Sequence, residues 1–191
     1  PVGVSDTLTV MEKIGHYLDR ENDHLLAELE AEQPDLHGED LARAMSERLD
    51  IPRVLRKASK DWDGGYVFTG LIGNGDAFVY RDPNGIRPVF YYRDDEIVAV
   101  ASERAALTTV FDVEPEEIHF IGRGAALVIR QDGSIAEHQI KEAGELRQCT
   151  FERIYFSRGN DKAIYAERKQ LGRQLAQRTL EAVKYDVEHT V

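Results

Sequence analysis

The chain has 191 residues, 42% of them hydrophobic: a globular composition, long enough for one domain of ordinary size or one and a part. Its net charge of -11 argues against a general nucleic-acid or anionic-membrane surface, because both recruit clustered Lys and Arg. One cysteine excludes an intramolecular disulfide and a thiolate-rich zinc site within the chain. With no run approaching ~20 apolar residues and no basic-then-apolar start, a cytoplasmic location is expected.

In chain order, a helix is expected over about residues 5–32. Ser5 or Asp6 can serve as its N-cap, satisfying amides that have no partner in the first turn. Val10, Ile14, Tyr17, Leu18, Leu25 and Leu29 recur at helical spacing, and Leu26 widens the stripe. Pro34 ends this element, since proline lacks the amide and clashes with the preceding turn. A second helix is expected near 38–49, with Leu41, Ala44, Met45 and Leu49 on one side. A third starts near Pro52, carries Val54, Leu55, Ala58 and Trp62, and stops at Asp63-Gly64-Gly65.

The period then changes from helical to extended. Residues 66–73 and 76–81 are apolar runs flanking Asn74-Gly75, a hairpin signal whose two central positions are expected at positive φ. Residues 89–93 and 96–100 form a second hairpin across Asp94-Asp95. Ser102 is expected to cap a short helix over 103–110. Residues 124–130 and 134–138 form a third hairpin across Asp132-Gly133. These runs are too apolar to face water on both sides, so an antiparallel sheet covered by helices is expected, and the class is α+β. A polar, strand-poor stretch over 141–148 marks a domain boundary, set between residues 143 and 144. Beyond it, 151–156 reads as a strand and 161–189 as a long helix with Ile164, Leu171, Leu175, Leu180 and Val183 on its apolar side.

Two motifs stand out. The first is Arg81-Asp82-Pro83-Asn84-Gly85-Ile86-Arg87-Pro88, followed by a hairpin and Ala101-Ser102-Glu103. Asp-Pro-Asn-Gly is good turn chemistry by itself, and Arg81 or Arg87 paired with Asp82 or a nearby carboxylate would fix the turn. The second runs from Cys149-Thr150-Phe151-Glu152 through Ile154-Tyr155-Phe156 to Ser157-Arg158-Gly159-Asn160-Asp161. A lone cysteine beside aromatics is ordinarily a buried one. His16, His24, His37, His119, His138 and His189 show no metal-site spacing.

The first motif is similar to the class II glutamine amidotransferases, which are N-terminal nucleophile hydrolases. The second resembles the passage from glutaminase to phosphoribosyltransferase domain in the amidophosphoribosyltransferases, and Tyr165, Arg168, Leu171 and Gly172 continue it. The resemblance covers most of the chain from Ser5 onward. It implies the latter half of an αββα sandwich over residues 1–143. Residues 144–191 would then be a linker with the first strand and helix of a phosphoribosyltransferase domain. It also implies the activity: 5-phosphoribosylamine made from phosphoribosylpyrophosphate and glutamine-derived ammonia, the first step of de novo purine synthesis.

Residue by residue, the resemblance assigns Asp6, in Ser5-Asp6-Thr7, to the α-amino group of substrate glutamine. A carboxylate pairs with an ammonium by a charge-assisted hydrogen bond, while helix capping is the plainer role for the same residue. Arg81, Asp82, Gly85, Arg87, Ser102 and Glu103 form a structural motif. Glu152, Tyr155, Arg158 and Tyr165 fall at the interdomain connection, with Tyr165 beside the ammonia route. Cys149 stands where some of these enzymes ligate an iron–sulfur cluster, with three partner thiolates elsewhere. Mg²⁺ would serve the transferase site.

The chain departs from the family pattern where the chemistry lies. The family's glutaminase uses a terminal nucleophilic cysteine, an arginine for the glutamine carboxylate and an Asn-Gly oxyanion hole, all upstream of the Ser-Asp-Thr segment. This chain begins with Pro1, and its phosphoribosylpyrophosphate loop is absent too. An internal fragment without a catalytic residue of its own, inactive alone, is the expectation. The alternatives are a non-catalytic glutamine-binding or regulatory module of this fold and a hydrolase built on Cys149. Uncovered strand edges and apolar surface lead to the expectation of a homo-oligomer.

Overall fold

The computed structural model describes residues 5–190. They divide into two compact units. The first holds residues 5–87 and Ile121–Arg147, and the second Pro88–Phe120 and 148–190. Residues 88–120 group with the C-terminal stretch.

The first unit packs three helices and one sheet. Helix α1 spans Asp6–Glu32, α2 Gly38–Arg48 and α3 Ile51–Ala58. Ser5 is the N-cap of α1, its hydroxyl accepting from the Leu8 amide. Asp50 caps α3 in the same way, accepting from the Arg53 amide at 2.8 Å, with Pro52 in the first turn. Strands β1 (Val67–Leu71), β2 (Ala77–Arg81), β6 (Ala125–Ile129) and β7 (Ile135–Gln139) form an antiparallel sheet in the order β1-β2-β6-β7.

Leu25, Leu49, Ile51 and Leu55 pack with Phe78, Tyr80, Ala126 and Val128 of the two central strands to make the core. Burying a Leu as fully as Leu55 contributes about 2 kcal/mol. Gly70 faces Phe78 across the β1–β2 pair, and a side-chain carbon there would lie 2.3 Å from the ring. Only glycine lets that aromatic lie flat on the strand.

Two buried carboxylates of this unit, Glu21 and Asp76, are paired with arginines. Glu21, 2% exposed, accepts from Arg53 Nε at 2.9 Å and ties α1 to α3. Asp76 takes Arg130 Nη1 at 2.8 Å and the Gln131 amide at 2.9 Å, while Arg130 Nη2 also reaches the Leu49 carbonyl. The hydroxyls of Tyr66, Tyr80 and Ser59 form a buried chain, with Tyr66 donating to Tyr80 and Tyr80 to Ser59. Burial, reinforced by Tyr80, pushes the Tyr66 phenol far above its ordinary pKa.

The second unit holds a three-stranded antiparallel sheet, β4-β3-β5. Its strands are β3 (Phe90–Arg93), β4 (Val98–Ala101) and the two-residue β5 (His119–Phe120). Helix α4 (Arg104–Phe111) lies against β3 and β4, with Phe111 stacked on Tyr92 at 4.9 Å. Helix α5 spans Lys162–Ala182.

The three hairpins fall where the turn residues put them, but the local geometry differs at several points. In the first, Gly75 alone takes positive φ, at 95°, because its amide closes a turn on the Ile72 carbonyl and one left-handed residue suffices. Glu103, not Ser102, is the N-cap of α4, and no side chain caps that helix. Residues 151–156 are not a strand. Glu152–Phe156 is one wide helical turn, closed by the Ser157 amide on the Glu152 carbonyl five residues back. Arg168, from α5, donates to the Ile154 carbonyl at 2.9 Å and holds the turn in place. Helix α5 ends at Ala182, seven residues before the expected end at 189, where Lys184 and Tyr185 enter the left-handed region at φ 53° and 61°.

Candidate functional site

The densest polar constellation is the turn after β2, built on two adjacent buried side chains, Arg81 (5% exposed) and Asp82 (0%). Arg81 is the last residue of β2. Its guanidinium donates to three carbonyls: Nε to Arg87 at 2.9 Å, Nη1 to Ile121 at 2.8 Å and Nη2 to Gly85 at 3.2 Å. Burial draws its pKa down, and the neighbouring Asp82 charge opposes that.

Asp82 faces the other way. Its Oδ1 accepts from the Asn84 amide at 3.1 Å and the Ile86 amide at 2.9 Å, and its Oδ2 from the Arg87 amide at 3.1 Å. The Gly85 amide returns to the Asp82 carbonyl, a turn that puts Gly85 at φ 62°. A side-chain carbon on Gly85 would also lie 3.0 Å from Arg123 Cγ and 3.1 Å from Arg81 Nη2. Arg and Asp thus act on the backbone of the turn, the arginine as donor to carbonyls and the aspartate as acceptor from amides. Charge-assisted bonds of this kind hold a loop rigidly; neither group is presented as a reactant.

The other predicted residues lie apart from this turn. Asp6 sits exposed in the first turn of α1, with the capping role taken by Ser5. Ser102 is exposed, and Glu103 stands 3.8 Å from Arg158 Nε in a loose ion pair. Glu152 opens the wide helical turn, and Tyr155 (77% exposed) lies within it. Tyr165 is on α5, also exposed, with Lys169 Nζ 5.7 Å from its ring centroid. Cys149 is half-buried. No group of three His, Cys, Asp or Glu side chains able to hold a metal converges among the described residues. A cluster that needs four thiolates does not fit a chain with one cysteine. No helix among the described residues is long and apolar enough to cross a membrane.

Sequence reasoning missed three parts of the turn: Ile121, which lends its carbonyl to Arg81, Arg123, which packs over Gly85, and the 144–147 segment, which bonds to Pro83 and Asn84. An adjacent Arg-Asp pair at the end of an apolar run was the available signal. The turn's partners lie as far off as Arg147, whose amide bonds the Asn84 carbonyl, and carry no local mark.

Fold and turn together place the chain in the α+β class built on antiparallel sheets and covering helices to which the glutamine amidotransferases belong. No protein-family model matches it. Among curated proteins, the amidophosphoribosyltransferase of Haemophilus influenzae is 31% identical over 134 residues, 68% of this chain and 26% of that protein. The Archaeoglobus fulgidus amidophosphoribosyltransferase is 30% identical over 141 residues, 71% of this chain and 30% of that protein. Among solved structures, the glutamine phosphoribosylpyrophosphate amidotransferase of B. subtilis, complexed with ADP and GMP, aligns with TM-score 0.55 at 24% identity. That alignment covers 81% of this chain and 35% of the other. The chain is homologous to a segment of the amidophosphoribosyltransferases, and it spans about a quarter to a third of the length of the relatives it matches.

Proposed function

We propose that this chain serves an amidophosphoribosyltransferase, as part of its glutamine-side domain and the junction to its transferase domain. The observation that carries the reading is identity of about 30% to enzymes of that name over about two thirds of the chain. In this reading glutamine is hydrolysed to glutamate and ammonia. The ammonia then displaces pyrophosphate from phosphoribosylpyrophosphate, giving 5-phosphoribosylamine in the cytoplasm. Glutamine and phosphoribosylpyrophosphate are the substrates, and the working enzyme is a homo-oligomer.

Asp6 contributes directly. Its carboxylate pairs with the ammonium of glutamine, and the geometry favours this because Ser5 already caps α1. The Arg81–Asp82 turn contributes rigidity. The nucleophile, the phosphoribosylpyrophosphate loop, the Mg²⁺ ligands and any thiolates sharing a cluster with Cys149 come from the parts of the relatives that lie outside the matched segment. The chain alone therefore turns over neither substrate.

The test uses the protein that contains this chain, supplied with glutamine labelled at the amide nitrogen and with phosphoribosylpyrophosphate. Label is expected in phosphoribosylamine. Glutamine consumption with no transfer to the sugar phosphate would overturn the reading, and so would glutamine binding with no turnover, the behaviour of a regulatory module.

A further inference from the structure

We infer that the turn over residues 81–87 is a latch that fixes the point at which the chain leaves its first unit. The chain passes between the units after Arg87, before Ile121 and after Arg147. All three of these residues are bonded to the same turn. Arg81 Nε holds the Arg87 carbonyl at 2.9 Å, and its Nη1 holds the Ile121 carbonyl at 2.8 Å. The Arg147 amide donates to the Asn84 carbonyl at 2.9 Å. One buried guanidinium and the loop beside it thus gather three crossings spread over 61 residues of sequence (from 87 to 147, both ends counted).

The 144–147 segment has no helix or strand of its own to hold it. It is held by four bonds to its surroundings. The Gly144 amide donates to the Pro83 carbonyl at 2.8 Å, and the Arg147 amide to Asn84 as above. Asn84 Nδ2 donates to the Glu145 carbonyl at 3.0 Å, and Arg123 Nη1 to the Gly144 carbonyl at 2.5 Å. A side-chain carbon at Gly144 would lie 2.6 Å from Asn84 Nδ2 and would press that amide away from the segment it holds. The arrangement is modular. Asp82 and Arg81 shape the turn from inside, while Asn84 and Arg123 grip the passing segment from outside. The grip can therefore be released without dismantling the turn. A segment gripped by a few solvent-accessible bonds opens locally, at far lower free energy than the sheet it borders.

The experiment is hydrogen exchange followed by mass spectrometry on this chain, comparing the native sequence with Asn84→Ala, Arg123→Ala and the double variant. Both side chains lie outside the Arg81 and Asp82 bonding, so both single variants keep the turn. Each is expected to raise exchange of the Gly144 and Arg147 amides by roughly fivefold, the effect of one lost hydrogen bond, and the double variant by more. Amides of β2 and β6 are expected to exchange at native rates throughout. Three results would overturn the latch: no protection over 144–147 in the native chain, unchanged exchange there in both single variants, or an equal rise over β2 and β6. The last would show a brace for the sheet instead. None of these outcomes depends on the proposed enzymatic activity.

Discussion

Arg104 and Asp161 meet in a two-pronged ion pair, Nε to Oδ2 at 2.9 Å and Nη2 to Oδ1 at 2.8 Å, across 57 residues of sequence. The same carboxylate caps α5, accepting from the Ala163 and Ile164 amides. One aspartate therefore starts the C-terminal helix and binds it to the first residue of α4. That bond is a physical reason why residues 88–120 group with the C-terminal stretch and not with the strands that flank them in sequence.

Replacing Asp161 with Asn is expected to lower stability by about 2 kcal/mol, because it removes a charge-assisted pair that is mostly buried. Burial acts to raise the Asp161 pKa, but Arg104 and the helix amides outweigh it and hold the carboxyl below its ordinary value. The stability it supplies is thus present above the usual carboxylate range and lost as pH falls through the depressed folded value. Urea midpoints measured from neutral pH downward should show the native chain losing this increment in acid. Asp161→Asn should lack that part of the slope.

Asp82→Ala is expected to cost about 3 kcal/mol, since it strands three backbone amides that the carboxylate accepts. Asp82→Asn keeps one acceptor oxygen and should cost less. Chemical denaturation of the two variants side by side checks the order. Equal losses would mean that the charge, and not the number of accepted bonds, carries the effect.

Gly85→Ala is expected to destabilise by about 1–2 kcal/mol. The position has φ 62°, and the new carbon would press on Arg123 and Arg81. Gly133, also at positive φ but with open space around it, should cost less on the same change, so thermal midpoints of the two separate conformational strain from crowding.

Variants of Ser5 and Asp6 separate capping from the proposed contact with glutamine. Ser5→Ala should cost about 1 kcal/mol in stability, the value of an N-cap. Asp6→Asn should leave stability within about 0.5 kcal/mol, as for an exposed site. In the protein that contains this chain, Asp6→Asn should raise the KM for glutamine at least tenfold while activity with free ammonia persists. Steady-state kinetics with both nitrogen sources checks this.

Much of the first unit was legible because local pattern and burial agree. The stripe through Leu25 and Leu29 is the buried face of α1, and Pro34 and Gly133 punctuate the chain where their backbone chemistry requires it. Residues 151–156 misled because alternating aromatics mimic a strand. What sets their shape is Arg168, a donor from the following helix. The overlong reading of α5 had the same origin: the apolar spacing runs on past Ala182, but the backbone turns left-handed at Lys184. The Arg81–Asp82 turn was legible as a turn. Its burial and its grip on Ile121 and Arg147 were not, because partners distant in sequence leave no periodicity.

The chain matches about a quarter to a third of the length of the amidophosphoribosyltransferases, and the function proposed above makes it a part of such an enzyme with the chemistry completed elsewhere. The most direct test is glutamate release from glutamine, measured for this chain and for the full protein that contains it, with and without phosphoribosylpyrophosphate. On the proposed function, the chain alone releases none, and release by the full protein rises when phosphoribosylpyrophosphate is present. Turnover by the chain alone, abolished by Cys149→Ala, would contradict it.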